Sequence, residues 1–199
     1  MRKIEVMAPV GSWENLHAAI NAGADSVYFG VGHLNMRSRS SSNFSLNDLE
    51  KILRICRENN VKSYVTVNTV IYNEEIEQLR TLISTLAKKG VDAVIASDFA
   101  VISVCREYNV KVHASTQLNI SNIEAVRYFS NFTDVIVLAR ELNLNQVKEI
   151  SKKIKEQNIC GPSGELVKIE MFVHGALCMA VSGKCYLSLD NFNVSANRG

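Results

Sequence analysis

The chain is most easily bounded by what it lacks. No apolar run approaches the roughly 18 residues needed to cross a bilayer. Met1-Arg-Lys-Ile-Glu passes straight into a strand-like run, without the apolar stretch of a signal peptide. The expected location is therefore cytoplasmic, with no membrane partner. A net charge of +2 is too small to argue for nucleic acid by itself, so an RNA partner would need a local basic surface. Phosphate-binding glycine motifs are missing as well. Ala8-Pro-Val-Gly-Ser stands where a dinucleotide fold would place G-x-G-x-x-G, and there is no P-loop. Hydrolase signatures are equally absent: there is no H-E-x-x-H, no G-x-S-x-G and no evident triad.

What is present suits one domain with a real core, since 47% of the 199 residues are apolar. Five cysteines cannot all pair, and a reducing compartment leaves them as thiols. Cys56 and Cys105 recur with apolar neighbours at helical spacing and read as small buried hydrophobes. Cys160 lies in a Gly/Pro loop and says little. Cys178 and Cys185 differ in kind.

Strand-like runs alternate with amphipathic stretches along the chain. The expected strands are Ile4–Ala8, Ser26–Gly30, Lys62–Val67, Ala93–Ser97, Lys111–Ala114, Val135–Ala139 and Lys168–Val173. Most are apolar on both faces, as parallel strands covered by helices are. Ser45 to Asp48 and Ser121 to Glu124 read as capping boxes, Asn73-Glu-Glu as an acidic first turn, and Gly23 and Gly90 as helix ends. A phrase repeats weakly: Gly23-Ala-Asp-Ser-Val27, Gly90-Val-Asp-Ala-Val94 and, more loosely, Phe132-Thr-Asp-Val-Ile136. These features predict an α/β fold, a (βα)8 TIM-type barrel with about seven βα units present, with an open doubly wound sheet as the alternative. Residues 1–199 then form the N-terminal barrel domain of a longer protein.

In such a barrel the C-terminal ends of the strands line the site. That rule selects Arg37 and Arg39 after the second strand, Asn68 after the third, Asp98 after the fourth, Gln117 after the fifth, and Arg140 with Glu141 after the sixth. Each also has a plain reading. Asp98 could simply cap a helix, Arg140 and Glu141 could be a solvated pair, and Arg37 and Arg39 could sit on an exposed loop. His17 and His113 read as packed or exposed histidines rather than ligands. The seventh strand runs into a loop carrying His174, Cys178 and Cys185. Two thiolates cannot complete a four-cysteine site, and their spacing is wrong for a C-x2-C knuckle. A cysteine nucleophile activated by His174, or a purely structural pair, remains open.

The stretch from Glu170 to Ser188 resembles the signature of the U-32 peptidase family, the collagenase-like proteases. Glu170, Phe172, Gly175, Ala176, Leu177, Cys178, Gly183, Cys185, Leu187 and Ser188 match it. Ala8-Pro-Val-Gly, Gly23-Ala-Asp25, Arg37-x-Arg39, Ser97-Asp98 and Arg140-Glu141-Leu142 also look like family positions. The wording around His174 is most similar to members linked to RNA hydroxylation. The resemblance implies an oxygen-independent hydroxylase converting tRNA wobble uridine to 5-hydroxyuridine. Its [4Fe-4S] cluster would rest on four cysteines, of which Cys178 and Cys185 match the first two and the rest follow soon after Asn197–Gly199. Arg37, Arg39, Asn68, Asp98, Gln117, Arg140, Glu141 and His174 would then hold tRNA or another RNA and a small anionic co-substrate, which guanidinium groups bind through paired hydrogen bonds. The present chain, with two of the four cysteines, is not expected to hold the cluster. The alternatives are a collagenase-like endopeptidase acting on a peptide substrate, and a non-catalytic accessory or binding subunit.

Overall fold

The computed structural model describes residues 4–36, 44–175, 180–181, 185–186 and 190. The chain divides between Val110 and Lys111 into two compact units.

The first unit contains strands β1 (Met7–Pro9), β2 (Ser26–Gly30), β3 (Lys62–Val67) and β4 (Ala93–Ala96), each parallel to the next. Helices α1 (Trp13–Asn21), α2 (Leu49–Glu58), α3 (Ile76–Lys89) and α4 (Phe99–Glu107) alternate with them. Register explains why these strands lack polar alternation. Val27 aligns with Ser63, and Phe29 with Val65, which aligns in turn with Val94. All five residues are buried on one face of the sheet. The other face carries Tyr64, Ala93 and Ile95, with Met7 and Tyr28 packed against them. Both faces are covered, as a parallel sheet requires.

The second unit contains β5 (Val112–Ala114), β6 (Val135–Val137) and β7 (Lys168–Glu170), again parallel, with α5 (Ile123–Phe129) and α6 (Leu144–Glu156) between them. Its core joins Ala114, Ile136 and Leu138 to Val126 of α5 and to Ile150 and Ile154 of α6. Parallel strands alternating with helices, seven among the described residues, make this the (βα) barrel class anticipated from the sequence.

The repeated phrase has a physical cause. Asp25 Oδ2 accepts from the Val6 amide at 3.0 Å, and Asp92 Oδ2 accepts from the amide and hydroxyl of Ser63 at 2.8 and 3.0 Å. Asp134 Oδ1 does the same for Ser163, at 3.0 Å from the amide and 2.7 Å from the hydroxyl. The carbonyls of Asp25 and Asp134 also accept from Lys62 and Lys168, the first residues of β3 and β7. Each aspartate thus clips its αβ junction to neighbouring backbone. Gly23 and Gly90 end their helices at φ 84 and 71, in the left-handed region where glycine is unstrained.

Local expectations shift at several points, with β4, β5 and β6 each one or two residues shorter than expected. β1 starts at Met7 rather than Ile4, and Ile4 and Val6 are exposed. β7 ends at Glu170 rather than Val173, with Met171, Phe172 and Val173 exposed. Ser45 donates to Asp48 within a turn, so α2 begins only at Leu49. The cap of α5 is Asn122, whose side chain accepts from the Ala125 amide at 2.9 Å, not Ser121. Asn and Ser cap about equally well, so sequence could not choose between adjacent candidates.

Candidate functional site

In each unit the strands share one polarity, so their C-terminal ends and following loops lie on one side of that unit. Arg37, Arg39 and Cys178 lie outside the described residues.

In the first unit the polar strand-end residues are engaged with backbone. Asn68, directly after β3, accepts at Oδ1 from the Met36 amide at 3.2 Å. Its carbonyl accepts from the Ser97 hydroxyl at 3.0 Å. Asp98 caps α4 by accepting from the Ala100 amide at 2.8 Å, while its other oxygen accepts from the Ile71 amide at 3.1 Å. These bonds draw together the loops after β2, β3 and β4. Above β2, fully buried Asn35 donates to the Gly32 carbonyl at 3.1 Å. A Cβ on Gly30 would fall 2.4 Å from that side chain, which is why β2 ends in glycine.

The second unit is arranged differently. Ser115 follows β5, and its hydroxyl donates to Gln117 Oε1 at 2.6 Å across a short 3-10 turn. Thr116 Oγ1 and Asn119 Oδ1 are buried without a hydrogen-bond partner. Arg140 is exposed at the end of β6, and its guanidinium donates to the Ala180 carbonyl at 3.4 Å, which ties it to the cysteine-bearing loop. Glu141 and His174 are exposed, whereas Cys185 is half-buried. Gly175, at φ 149, occupies backbone space that side chains rarely enter, which accounts for glycine at that signature position.

His113, expected to be a packed or exposed histidine, and Glu170, a signature residue, come together in the second unit. His113 aligns with Val135 on β6, Val135 with Lys168 on β7, and Glu170 stands one pleat further along β7 on the same face. Ala114 and Ile136 occupy the opposite face, against α5 and α6. The His113 and Glu170 side chains lean across β6 until Nδ1 and Oε2 are 3.5 Å apart, and they are only 10% and 22% exposed. His113 is buried and Glu170 only partly so, and the contact is therefore only partly removed from solvent. The only hint in the sequence was two polar residues within otherwise apolar strands.

The remaining cysteines do not extend the candidate cluster ligands. Burial, helped by the nearby Asp92 charge, pushes the Cys56 thiol up to about 11, and burial pushes Cys105 up to about 12. Both are kept from the thiolate form that metals require. Cys160 belongs to an antiparallel bridge with Leu166. Among the described residues no three His, Cys, Asp or Glu side chains gather as a metal-ligand group. The described residues alone therefore do not meet a four-thiolate requirement.

Comparison with known proteins fits this architecture. The chain is similar to the solved structure titled "The Structure of the U32 Peptidase Mk0906", at 17% identity and a TM-score of 0.66, over 85% of this chain and 67% of that one. It is 62% identical to a protein of Porphyromonas gingivalis named "Collagenase", over 98% of this chain and 47% of the relative. It is 33% identical to "tRNA hydroxylation protein P1" of Bacillus subtilis, over 100% of this chain and 45% of the relative. The chain thus spans about half the length of these curated relatives. The profile described as "Peptidase family U32" matches residues 11–199, and with it the fold, the signature and the relatives agree that this chain belongs to peptidase family U32.

Proposed function

We propose that the full-length protein carrying this chain hydroxylates RNA, converting tRNA wobble uridine to 5-hydroxyuridine without molecular oxygen. The observation that carries this reading is the likeness to a tRNA hydroxylation protein over the entire chain, in a sequence without H-E-x-x-H or G-x-S-x-G. Cys178 and Cys185 would provide two thiolates to a [4Fe-4S] cluster whose other ligands come from outside these 199 residues. Such a cluster would supply one-electron chemistry. Arg140, held beside the cysteine loop through Ala180, would receive a small anionic co-substrate, the role that the family resemblance also gives to Arg37 and Arg39. Asn68 and Asp98 shape loops in the first unit, while Gln117, Glu141 and His174 would contact the base. The protein would act in the cytoplasm.

A second reading has its own support: the relative named "Collagenase" is 62% identical. In that reading Cys178 attacks a peptide carbonyl with His174 as its base, as activated thiols do. One comparison separates the two. Full-length protein is prepared without oxygen, its iron is measured, and tRNA from deleted and complemented cells is digested and analysed for hydroxyuridine by mass spectrometry. The first reading expects iron that is lost in Cys178→Ala, and hydroxyuridine that depends on the gene. Unchanged tRNA, with gelatin cleavage blocked by thiol alkylation, would replace it with the second.

A further inference from the structure

We propose that the exposed face of α6 holds the RNA substrate, its lysines Lys148, Lys152 and Lys155 binding the phosphate backbone; this rests on the RNA-hydroxylation reading above. The three recur at i, i+4 and i+7, which places them on one face of the helix, and all three are exposed. The opposite face is committed, since Val147, Ile150 and Ile154 pack into the core with Ala114 and Ile136. α6 holds four lysines against two glutamates, a surplus of +2. The whole chain also carries +2, so the residues outside this helix sum to zero. An RNA partner needs a local basic surface, and α6 provides one.

A helix that only faces water gains nothing from this arrangement. Lys148 and Lys152 are like charges at i, i+4, and Lys152 and Lys155 at i, i+3; such neighbours destabilise a helix. The glutamates do not cancel them. Glu149 lies 3.5 Å from Lys153, beside the stripe, and Glu156 lies 3.6 Å from Lys152. The second pair is 63% and 56% exposed, so water weakens it and a phosphate can displace it. Lys148 and Lys155 make no ion pair among the described residues. A row of cations short of counter-charge fits a ligand that brings several charges in line, as a phosphodiester backbone does. Lysine suits that task as a point charge on a flexible stem, where an arginine fork would suit one fixed carboxylate. An anionic membrane fits less well, because a helix lying on lipid needs a free apolar face and that of α6 is in the core. α6 also starts on the strand-end side of its unit, soon after Arg140. A backbone lying along it would lead toward the strand ends, where the base would react.

The test measures binding apart from chemistry. Full-length protein prepared without oxygen is titrated with tRNA purified from cells lacking the gene, at several salt concentrations. Lys148→Gln, Lys152→Gln and Lys155→Gln are combined, a change that keeps helix propensity nearly constant. The triple variant should raise Kd about tenfold or more at about 0.1 M salt. It should also flatten the slope of log K against log salt by about 2 to 3, since each neutralised phosphate contributes roughly 0.7 to 0.9. Its melting temperature should stay level or rise as like-charge repulsion is relieved, whereas a merely structural role would lower it. Equal charge removed elsewhere, by Arg54→Gln, Lys88→Gln and Lys111→Gln, should change Kd and slope little. The inference is overturned if the stripe variant keeps Kd within about twofold of wild type, or if both triple variants lose affinity equally. It is also overturned if the stripe variant loses binding to phosphatidylglycerol vesicles while its tRNA binding is unchanged. Hydroxyuridine formation is recorded separately on the wild type. Wild-type protein that binds tRNA through the stripe yet forms no hydroxyuridine would remove the hydroxylase reading and leave this surface standing. Wild-type protein that hydroxylates, beside a stripe variant that binds normally, would remove the surface and leave the reading.

Discussion

The two units are built from the same alternation but spend their polar residues differently. In the first, the polar groups at the strand ends serve as joints. Asn68 and Asp98 fasten three loops, although Thr69 Oγ1 beside them is a buried hydroxyl without a hydrogen-bond partner. The sheet face opposite its helices is filled by Tyr28, Tyr64, Ala93 and Ile95. In the second, that face carries His113 and Glu170, and unsatisfied polar atoms stand at the strand ends. Low-dielectric polar groups left unsatisfied cost stability, and proteins keep them chiefly where they do chemistry. On the proposed reading the first unit serves as scaffold and the second carries the reactive groups.

The largest effects expected are common to both units and serve as a control. Ile83→Ala in α3 and Ile136→Ala in β6 each remove a fully buried side chain and should cost about 2–5 kcal/mol in urea unfolding. A much smaller loss for Ile136→Ala would mean that the second core is loosely packed and that its reactivity needs another explanation. Gly30→Ala pushes a methyl into the buried Asn35 side chain and should cost about 1–3 kcal/mol by overpacking. A neutral outcome would show that the loop after β2 yields freely.

Asp98→Ala deletes a helix cap and the acceptor of the Ile71 amide. It should cost roughly 1–3 kcal/mol if the first unit uses this carboxylate as a joint. Wild-type stability with lost activity would instead return Asp98 to the reactive set. In contrast, Thr116→Val removes an unsatisfied buried hydroxyl and should leave stability unchanged or raise it by up to about 1 kcal/mol, while hydroxylation falls. A clear loss of stability would erase the distinction between the units.

The smallest effect concerns acid. Burial raises the Glu5 carboxyl, but hydrogen bonds from Lys62, Tyr64 and Ser26 and the Lys62 charge outweigh it, leaving Glu5 below its ordinary value. A depressed carboxyl contributes stability that is present above its unfolded pKa and lost as pH falls through its folded one. Glu5→Gln should therefore flatten the acid side of the stability profile and change little at neutral pH. An unchanged acid limb would show that the Glu5, Lys62 and Tyr64 contacts are worth nothing in solution.

Much of the scaffold was legible in the residues. β2 and β3 were read with their observed bounds because apolar runs between turn signals mark buried parallel strands without reference to anything distant. The three Gly/Phe-x-Asp phrases were visible as a repeat, though not as clips, since the amides they accept from lie up to 29 residues away. β1 and the caps of α2 and α5 were displaced because adjacent residues of similar propensity competed. Asp98 and Asn68 were found by their place at strand ends, yet their partners were not.

The sequence by itself determined the βα alternation, the strand positions to within a few residues, the membership of Cys56 and Cys105 in the core, and the signature around Cys178 and Cys185. Those features depend on local periodicity and composition, which act over one element at a time. Only the tertiary structure decided that Asn68 and Asp98 are joints and that His113 and Glu170 meet across β6. Strand register, and the side of the sheet to which each side chain turns, depend on how distant segments pair, and no single segment encodes its partner.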